Sequence, residues 1–143
     1  MREILFKAKR TENGEWAEGY YYESKISGCY ILMPKLNVRK KDGIIIGDSF
    51  DVYEVDPETV CQYTCLTDKN DKKIFEGDIV LYLDAYSTDS GYAEADCVGK
   101  VVWDNETLSF QVTERLSAES YEVLDECSVI GNIFDNPDLL EVE

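Results

Sequence analysis

The sequence predicts an all-β fold of barrel-like character with few short helical turns. Three observations predict it. Short runs rich in Val, Ile, Tyr and Phe recur along the chain, as strands require. Turn signals such as Asn13-Gly14 and Ser27-Gly28 separate them. Helical periodicity is almost absent, and no internal repeat or low-complexity segment stands out.

A chain of 143 residues suits one compact domain or two small subdomains. We expect an N-terminal β-meander over residues 1–59 and a second β subdomain over 60–143. No apolar run approaches ~18 residues, which excludes a helical membrane span. The opening Arg2-Glu3-Ile4-Leu5-Phe6-Lys7 has no long apolar segment with a small-residue cleavage site, so no signal peptide is expected. Five irregularly spaced cysteines then read as free thiols of a reducing, cytoplasmic compartment.

The formal net charge is -16, without a single histidine. Residues 1–75 hold 12 Lys+Arg and 13 Asp+Glu; residues 76–143 hold 2 and 17. Almost the whole excess lies in the second half, where Lys100 and Arg115 are the only cations. Such a field opposes direct binding to nucleic acid or anionic lipid. It serves solubility, or it attracts a basic partner.

From the start, Arg2–Ala8 alternates as a half-buried strand. Asn13-Gly14 is the strongest hairpin signal, and Glu15–Tyr22 returns. Cys29–Met33 is a third strand, stopped by Pro34. Lys35–Asp42 reads as a basic loop. Ile44–Ile46 follows, Gly47-Asp48 turns, and Ser49–Val55 is a further strand. Asp56 caps a one-turn helix with Pro57 at its first position.

Val60–Leu83 organises the rest. A strand enters the polar turn Asp68–Lys72, leaves through Ile74-Phe75, bends at Glu76-Gly77-Asp78 and continues as Ile79–Leu83. Both faces of that last strand are apolar, so it is expected to be central and covered on both sides. Asp84–Asp96 reads as an exposed acidic loop. Val98–Trp103 and Leu108–Thr113 flank the turn Asp104–Glu106. Ala118–Glu126 fits a helix or a strand. Ser128–Phe134 is a strand with Gly131 as a bulge. Asn136 and Pro137 open a terminal turn that tucks Leu139 and Leu140 onto the body.

Two motifs resemble a known family. Gln62-Tyr63-Thr64, Leu66, Asp68-Lys69-Asn70 and Lys73-Ile74-Phe75-Glu76-Gly77-Asp78-Ile79-Val80 form the first. Ile130-Gly131-Asn132-Ile133-Phe134-Asp135-Asn136-Pro137-Asp138-Leu139-Leu140 forms the second. With Arg2–Ala8 they make nearly the whole chain similar to the YopX-like proteins of bacteriophages and prophages. The resemblance implies an SH3-like barrel in the C-terminal part and action in a bacterial cytoplasm. It implies no known activity and no catalytic residue. The family usually has glycine at the positions of Cys61, Cys65 and Asp71. The bend near the two cysteines is therefore expected to relax, and the turn at Asp71 to cost slightly more.

Candidate chemistry is thin. Cys61, Cys65, Cys97 and Cys127 have the wrong spacing for a zinc site, and small core residues explain them better. The acid pairs Glu76 with Asp78, Asp104 with Glu106 and Asp135 with Asp138 have the donor type for Mg2+. A nuclease-like arrangement of Pro57-Glu58 with Asp71 and Lys73 puts Asp71 in a turn, where acids are ordinary. Nucleophile–histidine systems are excluded, and no Gly-rich phosphate loop precedes a helix. Trp16 with Tyr20, Tyr21 and Tyr22 has the composition of a stacking platform, yet the alternation is equally that of a half-buried strand.

No catalytic, cofactor-binding or metal residue is assigned, and the expected protein is not an enzyme. It is a small accessory module that binds another protein or its own copies. The expected surface is Lys35, Arg39, Lys40 and Lys41 on one side and Asp84, Asp89, Glu94 and Asp96 on the other. Two alternatives stand beside it: an acidic mimic of nucleic acid that occupies a host DNA-binding protein, and a Mg2+-dependent phosphodiesterase.

Overall fold

The structure, a computed structural model, describes residues 2–113 and 120–140. The chain divides into two compact units, residues 1–62 and 63–143. Among the described residues every strand pairing is antiparallel, in two sheets.

In the first unit, β1 (Phe6–Lys9), β2 (Trp16–Ser24), β3 (Gly28–Lys41) and β4 (Ile44–Val55) form a meander. The strand order is β4-β3-β2-β1, followed by the start of β5 (Cys61–Thr67). The expected turn at Asn13-Gly14 forms, with Gly14 at φ +71 and its N–H donating to the Arg10 carbonyl at 2.9 Å. Period-two alternation sends Ala8, Ala17, Cys29, Ile31 and Val55 inward as the core. Tyr21 packs beside them and donates its hydroxyl to the Cys29 sulfur at 3.1 Å. That bond, then burial, pushes the Tyr21 phenol up to about 12. Gly19 is required for a different reason: a β-carbon there would strike the Leu32 carbonyl of β3. Asp56 caps the 3-10 turn Pro57–Thr59, accepting the Glu58 N–H at 3.0 Å.

Four boundaries in this unit differ from expectation. Pro34 does not stop β3; the strand absorbs it in a register shift between Leu32 and Leu36, a bulge in which the missing N–H costs no ladder bond. Lys35–Asp42 is strand, not loop, up to the turn at Asp42 (φ 53) and Gly43 (φ 78). Gly47-Asp48 is a step inside β4, where a second bulge separates the pairs Arg39–Gly47 and Lys40–Ile45. At the N-terminus Leu5 is buried and Ile4 exposed, because pairing begins only at Phe6.

In the second unit, the end of β5 pairs with β6 (Lys73–Phe75). β7 (Asp78–Thr88), β8 (Gly91–Asp104), β9 (Ser109–Val112) and β10 (Ser128–Asn132) make a sheet of order β10-β7-β8-β9. Among the described residues this sheet is open, and no closed barrel forms. Helix α1 (Ser120–Glu126) settles the ambiguous segment in favour of helix; Ala118 lies outside the described residues. Its Val123 and Leu124 join Ile74, Val80, Tyr82, Val101, Val112 and Cys127 in the core. Each fully buried aliphatic side chain there contributes about 1.5–3 kcal/mol. Burial pushes the Cys127 thiol up to about 11, and the nearby Asp68 charge adds to the effect.

The acidic segment Asp84–Asp96 is not a loop. It is the distal part of the β7–β8 hairpin, paired from Ile79–Lys100 out to Thr88–Gly91. β7 is central, but it is covered on both faces only at Ile79 and Val80; Leu81 and Leu83 are exposed. Gly131 forms the expected bulge, with a register shift after Val129. Leu139 stays exposed in the 3-10 turn Pro137–Leu140.

The bend at Cys65 is not relaxed. Cys65 keeps a glycine-like φ of 72, and Asp71 one of 62. A side chain held there costs roughly 1–3 kcal/mol. Cys65→Val is therefore expected to lose about 2 kcal/mol in urea unfolding, since β-branched residues avoid this region most. Cys65→Gly is expected to stay within about 1 kcal/mol of the parent. Equal losses for both variants would show that the side chain, not the backbone, sets the cost.

Candidate functional site

The candidate acids divide into those that turn inward and those that face water. Asp68 is 4% exposed. Its Oδ1 accepts the N–H groups of Asn70 (2.8 Å) and Lys72 (2.9 Å), and its Oδ2 accepts that of Val129 on β10 (2.8 Å). Burial raises its pKa, but the three N–H donors outweigh burial and hold it below the usual carboxylate range. Asp78 is also buried, and its Oδ2 accepts the Phe75 N–H at 2.8 Å. Asp104 accepts the Glu106 N–H at 2.9 Å and the Thr107 hydroxyl at 3.1 Å, which lower its pKa. Asp135 accepts the Asn132 side-chain amide at 3.1 Å. These carboxylates close turns.

Glu76 is half-buried, and desolvation raises its pKa. Its neighbour Asp78 is engaged with backbone, so the two do not form a pair of open ligands. Asp71 sits in the turn before β6 and Glu58 in the 3-10 turn of the other unit. Among the described residues, no three His, Cys, Asp or Glu side chains gather closely enough to hold a metal ion. All five cysteines are free thiols.

The two segments singled out as a contact surface are both long hairpins. Lys35, Arg39, Lys40 and Lys41 lie on the distal β3–β4 arm and are exposed. The tip continues as Ile44, Ile45 and Ile46, which are 68%, 61% and 56% exposed. On the β7–β8 hairpin, Asp89, Glu94 and Asp96 are exposed, but Asp84 is not. It is 3% exposed and accepts the Ala85 N–H at 2.7 Å, so it leaves the surface set. Burial, then Asp84 and Asp96, raise the pKa of the neighbouring Cys97.

Tyr20 and Tyr22 of the candidate stacking platform belong to a wider surface. Residues paired directly across antiparallel strands share a face. The rows Tyr20–Leu32–Val52 and Tyr22–Tyr30–Glu54, with Phe50 and Val38, therefore lie on the face opposite the core. Tyr20, Tyr22, Val52, Phe50 and Val38 are all exposed. The alternation of Phe50 and Val52 against Tyr53 and Val55 carried the signal, because it places apolar groups on both faces of β4. Trp16 differs: Lys7 and Lys9 lie over its ring at 4.8 and 5.5 Å.

The two sequence motifs meet in this geometry. Asp78 pairs with Asn132 and Ile79 with Gly131, while Ile133 donates to the Gly77 carbonyl at 2.9 Å. The family model described as YopX protein matches residues 5–141. The chain belongs to the YopX family. Its backbone is similar to the crystal structure of protein EF1440 from Enterococcus faecalis. That similarity has a TM-score of 0.65 at 26% identity and covers 99% of this chain and 100% of the other. No curated protein matches. No helix among the described residues is long and apolar enough to cross a membrane. The motif positions of this YopX-family chain thus do structural work, joining β7, β10 and the Asp68 turn.

Asp68→Ala is expected to cost about 3 kcal/mol or more, since three N–H groups lose a charged acceptor. The lowered folded pKa also fixes a sign. Its stabilisation is complete above the ordinary carboxylate range and is lost as pH falls through the folded pKa. Urea unfolding from neutral to acid pH checks both points. Asp68→Asn should flatten part of the acid limb, and an unchanged pH profile would show that Asp68 does not set the acid sensitivity.

Proposed function

We propose that this YopX-family protein is a non-enzymatic interaction module, an accessory protein of phage or prophage origin acting in a bacterial cytoplasm. The observation that carries this reading is the uncovered face of β2–β3–β4. Tyr20, Tyr22, Val38, Phe50 and Val52 share it at 41–59% exposure. Contiguous apolar faces of this kind mark protein contacts in soluble proteins. The engagement of Asp68, Asp78 and Asp104 with turn N–H groups supports the same reading, because those acids already have partners. The reading of the acidic half as a mimic of nucleic acid gains no such support. The exposed apolar face belongs to the unit in which cations and acids nearly balance.

Phe50→Ser with Val52→Ser tests the reading. Both side chains are exposed, so folding stability should change by no more than roughly 0.5 kcal/mol each. The parent, purified by affinity from cells that carry its native partners, is expected to retain a stoichiometric protein, itself or another. The double variant is expected to lose it at least about tenfold. Retention unchanged in the variant, or DNA cleavage by the purified parent with Mg2+ or Mn2+, would overturn the proposal.

A further inference from the structure

The two hairpins carry opposite charge on apolar surfaces. Residues 35–46 hold four cations, Lys35, Arg39, Lys40 and Lys41, against the single acid Asp42. Residues 81–98 hold four acids and no cation. Pairing resolves which groups share a face. Leu83 stands opposite Asp96, Ala85 opposite Glu94 and Ser87 opposite Tyr92, so Leu81, Leu83, Tyr92, Glu94 and Asp96 lie on one face of β7–β8. Leu83 is 58% and Tyr92 84% exposed. On the arm, Lys40 pairs with Ile45 and Lys41 with Ile44, so each face of the tip couples a cation to an isoleucine. Arg39, Lys40, Lys41, Asp89, Glu94 and Asp96 form no ion pair among the described residues.

We infer that the β3–β4 arm of one copy docks on the outer face of the β7–β8 hairpin of a second copy. This goes beyond the module proposed above by adding a second contact at the arm tip, and it rests on that reading. Charge complementarity selects the occupant. A basic apolar arm fits an acidic apolar face, and this chain carries one of each. Two copies joined through their arms alone would bring like charges together, which is unfavourable. The contact is head to tail, so repeated copies close into a ring or run on as a filament. The arm supplies isoleucines that water otherwise covers, and the hairpin supplies Leu83 and Tyr92. The ionic groups set the register and the rate of encounter.

Sedimentation velocity of the purified full-length protein tests the inference. Association is expected to rise with concentration and to weaken as salt is raised from about 0.05 M to about 0.5 M. Arg39→Glu with Lys40→Glu and Lys41→Glu is expected to weaken association about a hundredfold, as is Asp89→Lys with Glu94→Lys and Asp96→Lys. An equimolar mixture of the two triple variants is expected to restore it, because each altered surface then meets its complement. Circular dichroism and thermal unfolding establish that both variants fold; their substitutions are all exposed. A parent that stays monomeric at every salt concentration overturns the inference. So does association that both triple variants leave intact, or a mixture of folded variants that stays apart. The first outcome leaves the proposed function standing if affinity purification still recovers another protein through Phe50 and Val52.

Discussion

A single buried carboxylate holds the second unit together. Asp68 stands at the start of a five-residue turn and reaches Val129, 61 positions later in the chain. Few residues can do this. The group must be short enough to close its own turn and must still have an oxygen free for a distant strand. It must also be ionised, since a neutral acid accepts less strongly. The adjacent backbone repeats the link, as Lys69 donates to the Cys127 carbonyl at 3.0 Å. The strand order follows. β10 is fixed beside β7 at one end by Asp68 and at the other by Gly77 and Ile133. With that edge in place, Val80 and Val129 present a surface that α1 covers with Val123 and Leu124.

The first unit is built differently. Its core of Ala8, Ala17, Cys29, Ile31 and Val55 is small, while β3 and β4 run for 14 and 12 residues. At about 3.3 Å per residue such strands extend far beyond what five small side chains cover. Small cores are marginal at this length. The distal arm is consequently exposed on both faces, and the Ile44–Ile46 tip has nothing apolar to bury against within its own hairpin. The apolar outer face follows from the same mismatch between long strands and a short core.

The fold class was legible in the sequence because strand residues and turn residues segregate cleanly. Asn13-Gly14, the Asp56 cap and the Gly131 bulge each follow from a local rule, and each is found where that rule puts it. Readings failed where tertiary pairing overrode local chemistry. Pro34 looked like a terminus, but a bulge accommodates it. The segments 35–42 and 84–96 looked like loops because charge and small polar residues dominate them. The distal β3–β4 arm is exposed on both faces and needs no buried side, so alternation is absent from it, while in 84–96 the buried position is an acid, Asp84. The left-handed backbone at Asp71 suits a residue type that tolerates it, whereas the same conformation at Cys65 is hidden, because cysteine carries no such preference. The candidate contact surface was half legible. Charge located both hairpins, whereas the burial of Asp84 and the exposure of Phe50 and Val52 depend on register.

The same register explains how a chain of net charge -16 keeps a stable acidic unit. Burying a carboxylate is costly unless donors surround the charged form. Asp68 and Asp78 meet that condition with backbone N–H groups, from the bends the acids themselves create and, for Asp68, also from Val129 of β10. Asp89, Glu94 and Asp96 of the β7–β8 hairpin point to water, where ~80-fold dielectric screening makes their mutual repulsion small. Inward acids keep their charge and hold backbone donors with it, and outward acids shape the field at the surface. A count of acids along the sequence merges the two populations; the alternation of Leu83, Asp84, Ala85 across the β7 pleat separates them.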